Sequence, residues 1–241
     1  MLGSKVRVIE GDIGSMSASD WQTIFKNQAN LAFAAGSDER IPPEGDPAAF
    51  YQRENVELIE PMVKTAADCG IKRVVLLNSI FSTLDRSRPE IGLAKSHPYI
   101  ASRVAQRDMA LSVAKGRFIM TLPKRSSAVP VGDQWLSWGE LLSRLAACCE
   151  RESVQLQRIP DNLLVQLNEL SGFWQKLFRL KSGLDYGKIH QFLLDDQPIN
   201  LKASQRKLGY RPDSITQSLR ESVADVPESR TIKLVRELVI S

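Results

Sequence analysis

Residues 46–79, "DPAAFYQRENVELIEPMVKTAADCGIKRVVLLNS", constrain the fold more than any other part of the chain. Asp46 followed by Pro47 is a helix start. The carboxylate can accept a first-turn N–H, and proline carries a helical φ where its missing N–H costs nothing. Gly70 suits the left-handed residue that ends such a helix. Pro61 predicts a kink between the two ends. The apolar run "IKRVVLLNS" is then the clearest strand of the chain. A helix feeding a strand this directly is half of a β-α-β unit, so the sheet is parallel and its neighbours lie on either side in sequence.

The flanking segments repeat the pattern. "KVRVIEGDI" alternates and is rich in Val and Ile, as a strand is. "SMSASDWQTIFKNQ" opens with Ser and Asp helix signals. "NLAFAAG" is a short apolar run ending in Gly. After the loop "IFSTLDRSRPEIGLAKSHP", "YIASRVAQRDMALSVAKG" has helical periodicity and "RFIMTLP" reads as a last strand. Residues 5–123 thus read β-α-β-α-β-loop-α-β, an α/β fold with a parallel sheet and helices on both faces. Residues 124–241 are mostly helical and form a smaller C-terminal lobe. Its aromatic residues Trp135, Trp138, Phe173 and Trp174 are expected in the lobe core. The acidic "LDD" at 194–196 is expected at a helix boundary.

The bulk properties exclude several classes. The chain has 241 residues, 43% hydrophobic and 25% charged, values of an ordinary globular protein. Its formal charge of +4 is scattered. "LPKRSS" and "SQRK" read as solvated surface first, an anion site second and a nucleic-acid contact last, so no nucleic-acid partner is expected. Cys69, Cys148 and Cys149 follow no disulfide framework, and His97 and His190 have no ligand spacing. Reduced thiols, no metal site and no apolar segment of membrane length together give a cytoplasmic expectation.

One pair bears directly on chemistry. Tyr99 and Arg103 stand four residues apart and share a helix face. A cation beside a phenol favours the phenolate, which suits acid–base work. Exposed Tyr/Arg pairs show the same spacing, so a surface pair is the competing reading.

In this order the segments resemble the extended branch of the short-chain dehydrogenase/reductase superfamily, the NAD-dependent epimerase/dehydratase type. "VIEGDI" is similar to the strand whose Asp reaches the adenine, which points to Asp12. "LAFAAG" resembles the strand end beneath the cofactor: Ala34, Ala35 and Gly36. "ENVELIEPMVKTAADCGIKRVVLLNS" resembles the family's Asn-bearing helix and Ser-bearing strand. The resemblance gives Asn55 a structural role and Ser79 the catalytic hydroxyl position. "PYIASR" falls where the family has Tyr-x-x-x-Lys, and "TLP" places Pro123 on the nicotinamide side. "INLKASQRKLGYRPDSITQSLRESV" resembles the segment after the substrate lobe.

Two departures shape what the resemblance implies. The family opens with a strand, a Gly-rich turn and a helix whose N-terminus holds the pyrophosphate. That β-α-β unit and its Gly-rich turn are absent here. A stretch of the substrate lobe between "TLP" and "VGDQWLSW" is also absent. The expected fold is therefore a truncated Rossmann-like parallel sheet with flanking helices and a small helical C-terminal lobe. Lost strands leave unpaired edges; a homo-oligomer is one expected solution and rearranged C-terminal helices covering the sheet are the other.

By resemblance the cofactor is NAD or NADP, bound weakly without the Gly-rich turn, and the partner is a small-molecule substrate rather than a membrane. In this reading Tyr99 exchanges the substrate proton, Arg103 stands for the Lys, and Ser79 orients the substrate oxygen. The chemistry is oxidoreduction or epimerisation through NAD(P), or proton transfer by Tyr99 and Ser79 as in an isomerase, cyclase or lyase. A non-catalytic binding or scaffold protein on the same platform is the alternative.

Overall fold

The structure is a computed structural model and describes residues 7–114, 136–149, 159–193, 201–209, 211 and 214–224. It divides into two compact units, residues 1–128 with 164–195, and residues 129–163 with 196–241. The segment 164–195, assigned from sequence to the C-terminal lobe, thus belongs to the first unit.

The first unit opens with a 3-10 turn at Ile13–Ser15, then α1 (Ala18–Phe25) and β1 (Asn30–Phe33). Ser17 starts α1 through a capping box with Asp20, whose carboxyl the Ser17 bonds hold below the usual carboxylate range. Helix α2 (Pro47–Gln52) runs into a π-helical turn at Arg53–Glu57 and then α3 (Glu60–Asp68). Strand β2 (Arg73–Leu76) follows. Next come α4 (Ile80–Ser87), α5 (Leu93–Ser96) and the long α6 (Pro98–Ala114).

The helix ends are those the sequence implied. Asp46 accepts from Ala49 N at 2.9 Å, and Pro47 occupies the first turn of α2. Gly70 has φ +74°, and Ile71 N reaches back to Ala66 O at 3.1 Å, which closes α3 in a Schellman motif. Pro61 does not kink a continuous helix. The break comes earlier, at the π turn where Leu58 N bonds Arg53 O at 3.1 Å, and Pro61 sits in the first turn of α3.

Strands β1 and β2 pair in parallel, Asn30 opposite Arg73 and Phe33 opposite Leu76. They are the sheet among the described residues. The strand expected at 5–13 is not formed at Arg7–Asp12, where Val8 and Ile9 are exposed. Alternating Val and Ile make a strand only when a neighbouring strand takes up the backbone bonds. The strand expected at 117–123 and the 194–196 boundary lie outside the described residues.

One sheet face is covered. Phe33 and Val74 join Trp21, Phe25, Met62, Val63, Ala66 and Ile71 in a core that α1 and α3 close. On the opposite face Ala32, Arg73 and Val75 are exposed, so the described helices do not cover both faces as the β-α-β pattern implied. A second core joins Phe50, Tyr51, Leu93, Tyr99 and Ile100. Burial pushes the Tyr51 phenol up to about 12, and its hydroxyl donates to Ile41 O at 2.8 Å.

Helix α7 (Trp138–Cys148) follows in the second unit. Then come α8 (Asp161–Leu177), a 3-10 turn at Tyr186–Lys188 and α9 (His190–Leu193). Residues 182–188 fasten onto the start of α6. Tyr99 N donates to Gly183 O at 2.9 Å, and Asp185 N donates to His97 Nδ1 at 2.9 Å. A Cβ on Gly183 would meet the Tyr51 ring at 2.7–2.8 Å, so only glycine allows this approach.

In the second unit, Ser137 and Glu140 form a capping box at the start of α7. Helices α10 (Leu201–Leu208) and α11 (Ile215–Ala224) complete the chain as described. Helix α7 packs on α11, with Cys148 Sγ 3.8 Å from Thr216 O. All three cysteines are free thiols. Among the described residues, no helix is long and apolar enough to cross a membrane.

His97 gives the fold a pH signature. The ring is fully buried, and burial holds its pKa below the ordinary value; Asp185 pulls it up and Lys188 pushes it down. Its Nδ1 is the acceptor for Asp185 N, so a second ring proton would oppose that bond. The unfolded chain takes up a proton near pH 6.5 and the folded chain does not, so stability is full above that pH and falls as pH drops below it. Urea unfolding between about pH 5 and 7 should show this loss. His97→Asn, which keeps an acceptor but cannot titrate, should flatten the slope.

Candidate active site

Parallel strands leave an open edge at their carboxyl ends, where ligands of open α/β sheets bind. Here that edge comprises Ala34, Ala35 and Gly36 after β1 and Asn78 and Ser79 after β2. Leu77 N still bonds Phe33 O at 2.9 Å, so the two exits run side by side. Ala34, Ala35 and Gly36 are exposed.

Behind this edge a polar network joins three elements. Asn55, in the middle of the π turn, is fully buried. Its Oδ1 accepts from Ser37 N at 3.0 Å, and its Nδ2 donates to Ser37 O at 3.1 Å and Ser102 Oγ at 3.0 Å. Ser102 Oγ in turn donates to Tyr99 O at 2.7 Å. Gln106 Nε2 donates to Asn55 O at 2.7 Å. Asn78 Nδ2 donates to Arg103 O and to Gln106 Oε1, both at 2.9 Å, while Asn78 Oδ1 accepts from Ser79 N at 2.6 Å. The exits of both strands are thereby tied to one face of α6.

Arg103 lies inside this network, half-buried. Its Nη1 donates to Gln106 Oε1 at 3.1 Å and makes a long contact of 3.5 Å with Asn55 Oδ1. Its Nε is buried without a hydrogen-bond partner. Among the described residues no carboxylate pairs with it. The guanidinium lies over the Tyr99 ring, 5.8 Å from the centroid, a cation–π arrangement on the ring face. Gly36 makes room for it. At φ +150°, a Cβ there would meet Arg103 Nη1 at 2.9 Å and Asn55 Oδ1 at 3.0 Å.

Tyr99 is buried, its ring edge-on to Tyr51 and Phe81. Its hydroxyl has no hydrogen-bond partner among the described residues. Ser79 is half-buried and caps α4, its Oγ accepting from Phe81 N at 3.3 Å. Asp12 is exposed and accepts from Gly14 N at 2.9 Å as the cap of its own turn. Pro123 lies outside the described residues. The structure therefore brings Gly36, Asn55, Tyr99 and Arg103 together, and links Ser79 to them through Asn78. Asp12 serves its own turn.

Ser37, Asn78, Ser102 and Gln106 escaped the sequence reading. The signal for two of them is the spacing of Tyr99, Ser102, Arg103 and Gln106, which share one helix face. Two buried polar side chains on that face require partners elsewhere.

A dinucleotide fits this edge only in part. The exposed strand end and Arg103 offer a bed and a cation for one anionic or ribose-bearing half. Among the described residues no glycine-rich turn opens a helix to receive the pyrophosphate. Nor does any group of three or more His, Cys, Asp or Glu residues among them suit a metal ion.

No family profile matches the chain. No curated protein matches it either. Among solved structures, the chain is similar to MoeE5 in complex with UDP-glucuronic acid and NAD, at 15% identity and a TM-score of 0.43, over 88% of this chain and 82% of that one.

The network makes Asn55 the most costly of these residues to remove. Asn55→Ala leaves Ser37 N–H, Ser37 C=O and the Ser102 hydroxyl short of a partner in the interior, a loss of about 2–4 kcal/mol. Urea denaturation should show it as a lower midpoint at unchanged slope. An unchanged midpoint would mean that water replaces all three bonds.

Proposed function

We propose that the chain is an enzyme of short-chain dehydrogenase/reductase descent, built on a truncated Rossmann-like sheet. Its substrate is a small anionic metabolite held at the carboxyl edge of β1 and β2. The observation that carries this reading is Arg103. A half-buried guanidinium without a carboxylate partner among the described residues, with its Nε unpaired and a glycine clearing the space before it, is half of an ion pair. A phosphate or carboxylate of the ligand supplies the other half through charge-assisted bonds.

The chemistry proposed beside it belongs to Tyr99 and Ser79. Arg103 anchors the anionic group, and the Tyr99 hydroxyl, without a hydrogen-bond partner among the described residues, passes a proton to or from the ligand. Ser79 shares its hydroxyl with the α4 cap and orients a ligand oxygen. This supports proton-transfer chemistry by the chain's own residues. Hydride transfer belongs to NAD or NADP, which the resemblance supplies, and a dinucleotide would meet Ala34, Ala35, Gly36 and Arg103. The competing reading, a non-catalytic protein that keeps the same fold, makes Tyr99 a core residue and Arg103 its capping cation.

Calorimetry with NAD+, NADP+, inorganic phosphate and small phosphorylated or carboxylated metabolites tests the proposal. At least one anion should bind with one-to-one stoichiometry, and Arg103→Met should weaken it about tenfold or more. Tyr99→Phe should leave that binding intact and abolish turnover. Anion binding that survives Arg103→Met would overturn the assignment of the site. Binding with full turnover in Tyr99→Phe would overturn the acid–base role.

A further inference from the structure

Helix α8 is inside out. Between residues 164 and 177, the face packed on its own unit carries Asn168, Gly172 and Gln175. A Cβ on Gly172 would stand 2.5 Å from Gly187 Cα, so the 186–188 turn rests directly on the helix backbone. Gln175 Nε2 donates to Leu184 O at 3.0 Å, and Gln175 Oε1 accepts from Tyr186 N at 2.9 Å. The opposite face carries Leu167, Leu170, Phe173, Trp174 and Leu177, and continues into Phe178. These side chains are 44–63% exposed. Trp174 stacks on Phe178 at 5.3 Å and meets Phe173 edge-on at 5.7 Å, so among the described residues these aromatics have each other as ring partners. Phe173 and Trp174, expected in a lobe core, are surface residues of the first unit.

Amphipathic helices of globular proteins turn this kind of face inward. Leu167, Leu170, Trp174 and Leu177 follow the alternating three- and four-residue steps of a helix-pairing seam. Together with their aromatic neighbours they present on the order of 700 Å² of apolar surface, close to the roughly 800 Å² per partner of a standard interface. The charges bordering the seam identify the occupant. Glu169 and Lys176 are exposed, seven residues apart, and therefore on the same edge of the helix. The apolar stretch 167–178 is centred between residues 172 and 173, midway between those two charges. Laid antiparallel on a second α8 about that centre, each Glu169 stands beside the other chain's Lys176. A second copy of the same helix has this complementarity built in, as a two-fold interface requires.

We infer that α8 is the seam of a homodimer, two copies pairing antiparallel through Leu167, Leu170, Phe173, Trp174, Leu177 and Phe178. Sedimentation of the full chain across nanomolar to micromolar concentrations tests this. The wild type should be a reversible dimer, and Trp174→Glu should weaken dimerisation roughly tenfold or more. Helical circular dichroism should be unchanged, since the residue is exposed in the single chain. Glu169→Lys should weaken the dimer by placing like charges together, and adding Lys176→Glu in the same chain should restore it. A monomer at every concentration would overturn the inference, including the case in which the chain's second unit covers the seam. A dimer indifferent to both Trp174→Glu and the charge reversals would overturn it as well.

Discussion

The first unit depends on what one amide does. Asn55 holds the backbone of Ser37 on one side and the hydroxyl of Ser102 on the other, which fixes the exit of β1 against α6. The π turn is the local condition for this. A five-residue bond from Leu58 N to Arg53 O widens the helix where Asn55 stands. Gln106 then donates to the buried carbonyl of Asn55, and Asn78 draws the exit of β2 onto the same helix. Three elements distant in sequence meet through amide side chains, groups that donate and accept without carrying charge. That neutrality leaves the single guanidinium of Arg103 as the cation of the network.

Arg103 and Tyr99 relate differently from what spacing alone implies. Four residues apart on a helix, they do meet, but the guanidinium lies over the ring face and its donors turn toward Gln106 and Asn55. A planar fork stacks on an aromatic face in a way an ammonium does not need to. The cation thus lies beside Gly36 at the end of β1.

Local chemistry was legible where backbone groups and their partners are close in sequence. Asp46, Pro47 and Gly70 mark helix ends because the capping bonds span a few residues. Residues 7–12 misled for the opposite reason: alternation of Val and Ile describes a face, and a strand also needs a partner, which sequence periodicity does not supply. Pro61 misled because proline is as much at home in a first turn as at a kink. In the site, Tyr99 and Arg103 stood out by their four-residue spacing and Asn55 and Ser79 through the family resemblance alone, whereas Ser37, Asn78 and Gln106 acquire meaning only when the elements meet. The exposure of Phe173 and Trp174 was hidden for a related reason. Aromatic composition signals burial somewhere, and α8 packs on its own unit through Asn168, Gly172 and Gln175 instead.

The turn at 182–188 has a consequence for how the protein is made. Its carbonyl and amide close on His97 and Tyr99, and its glycine lies against Tyr51, so the first unit is complete only when residues far along the chain return to it. During synthesis the second core, around Tyr51 and Tyr99, waits unsealed while the intervening segment of the other unit emerges. Closing that long loop costs entropy that no local contact offsets. Until the turn arrives, the core around Tyr51 and Tyr99 lacks the cover that Gly183 and Leu184 give it.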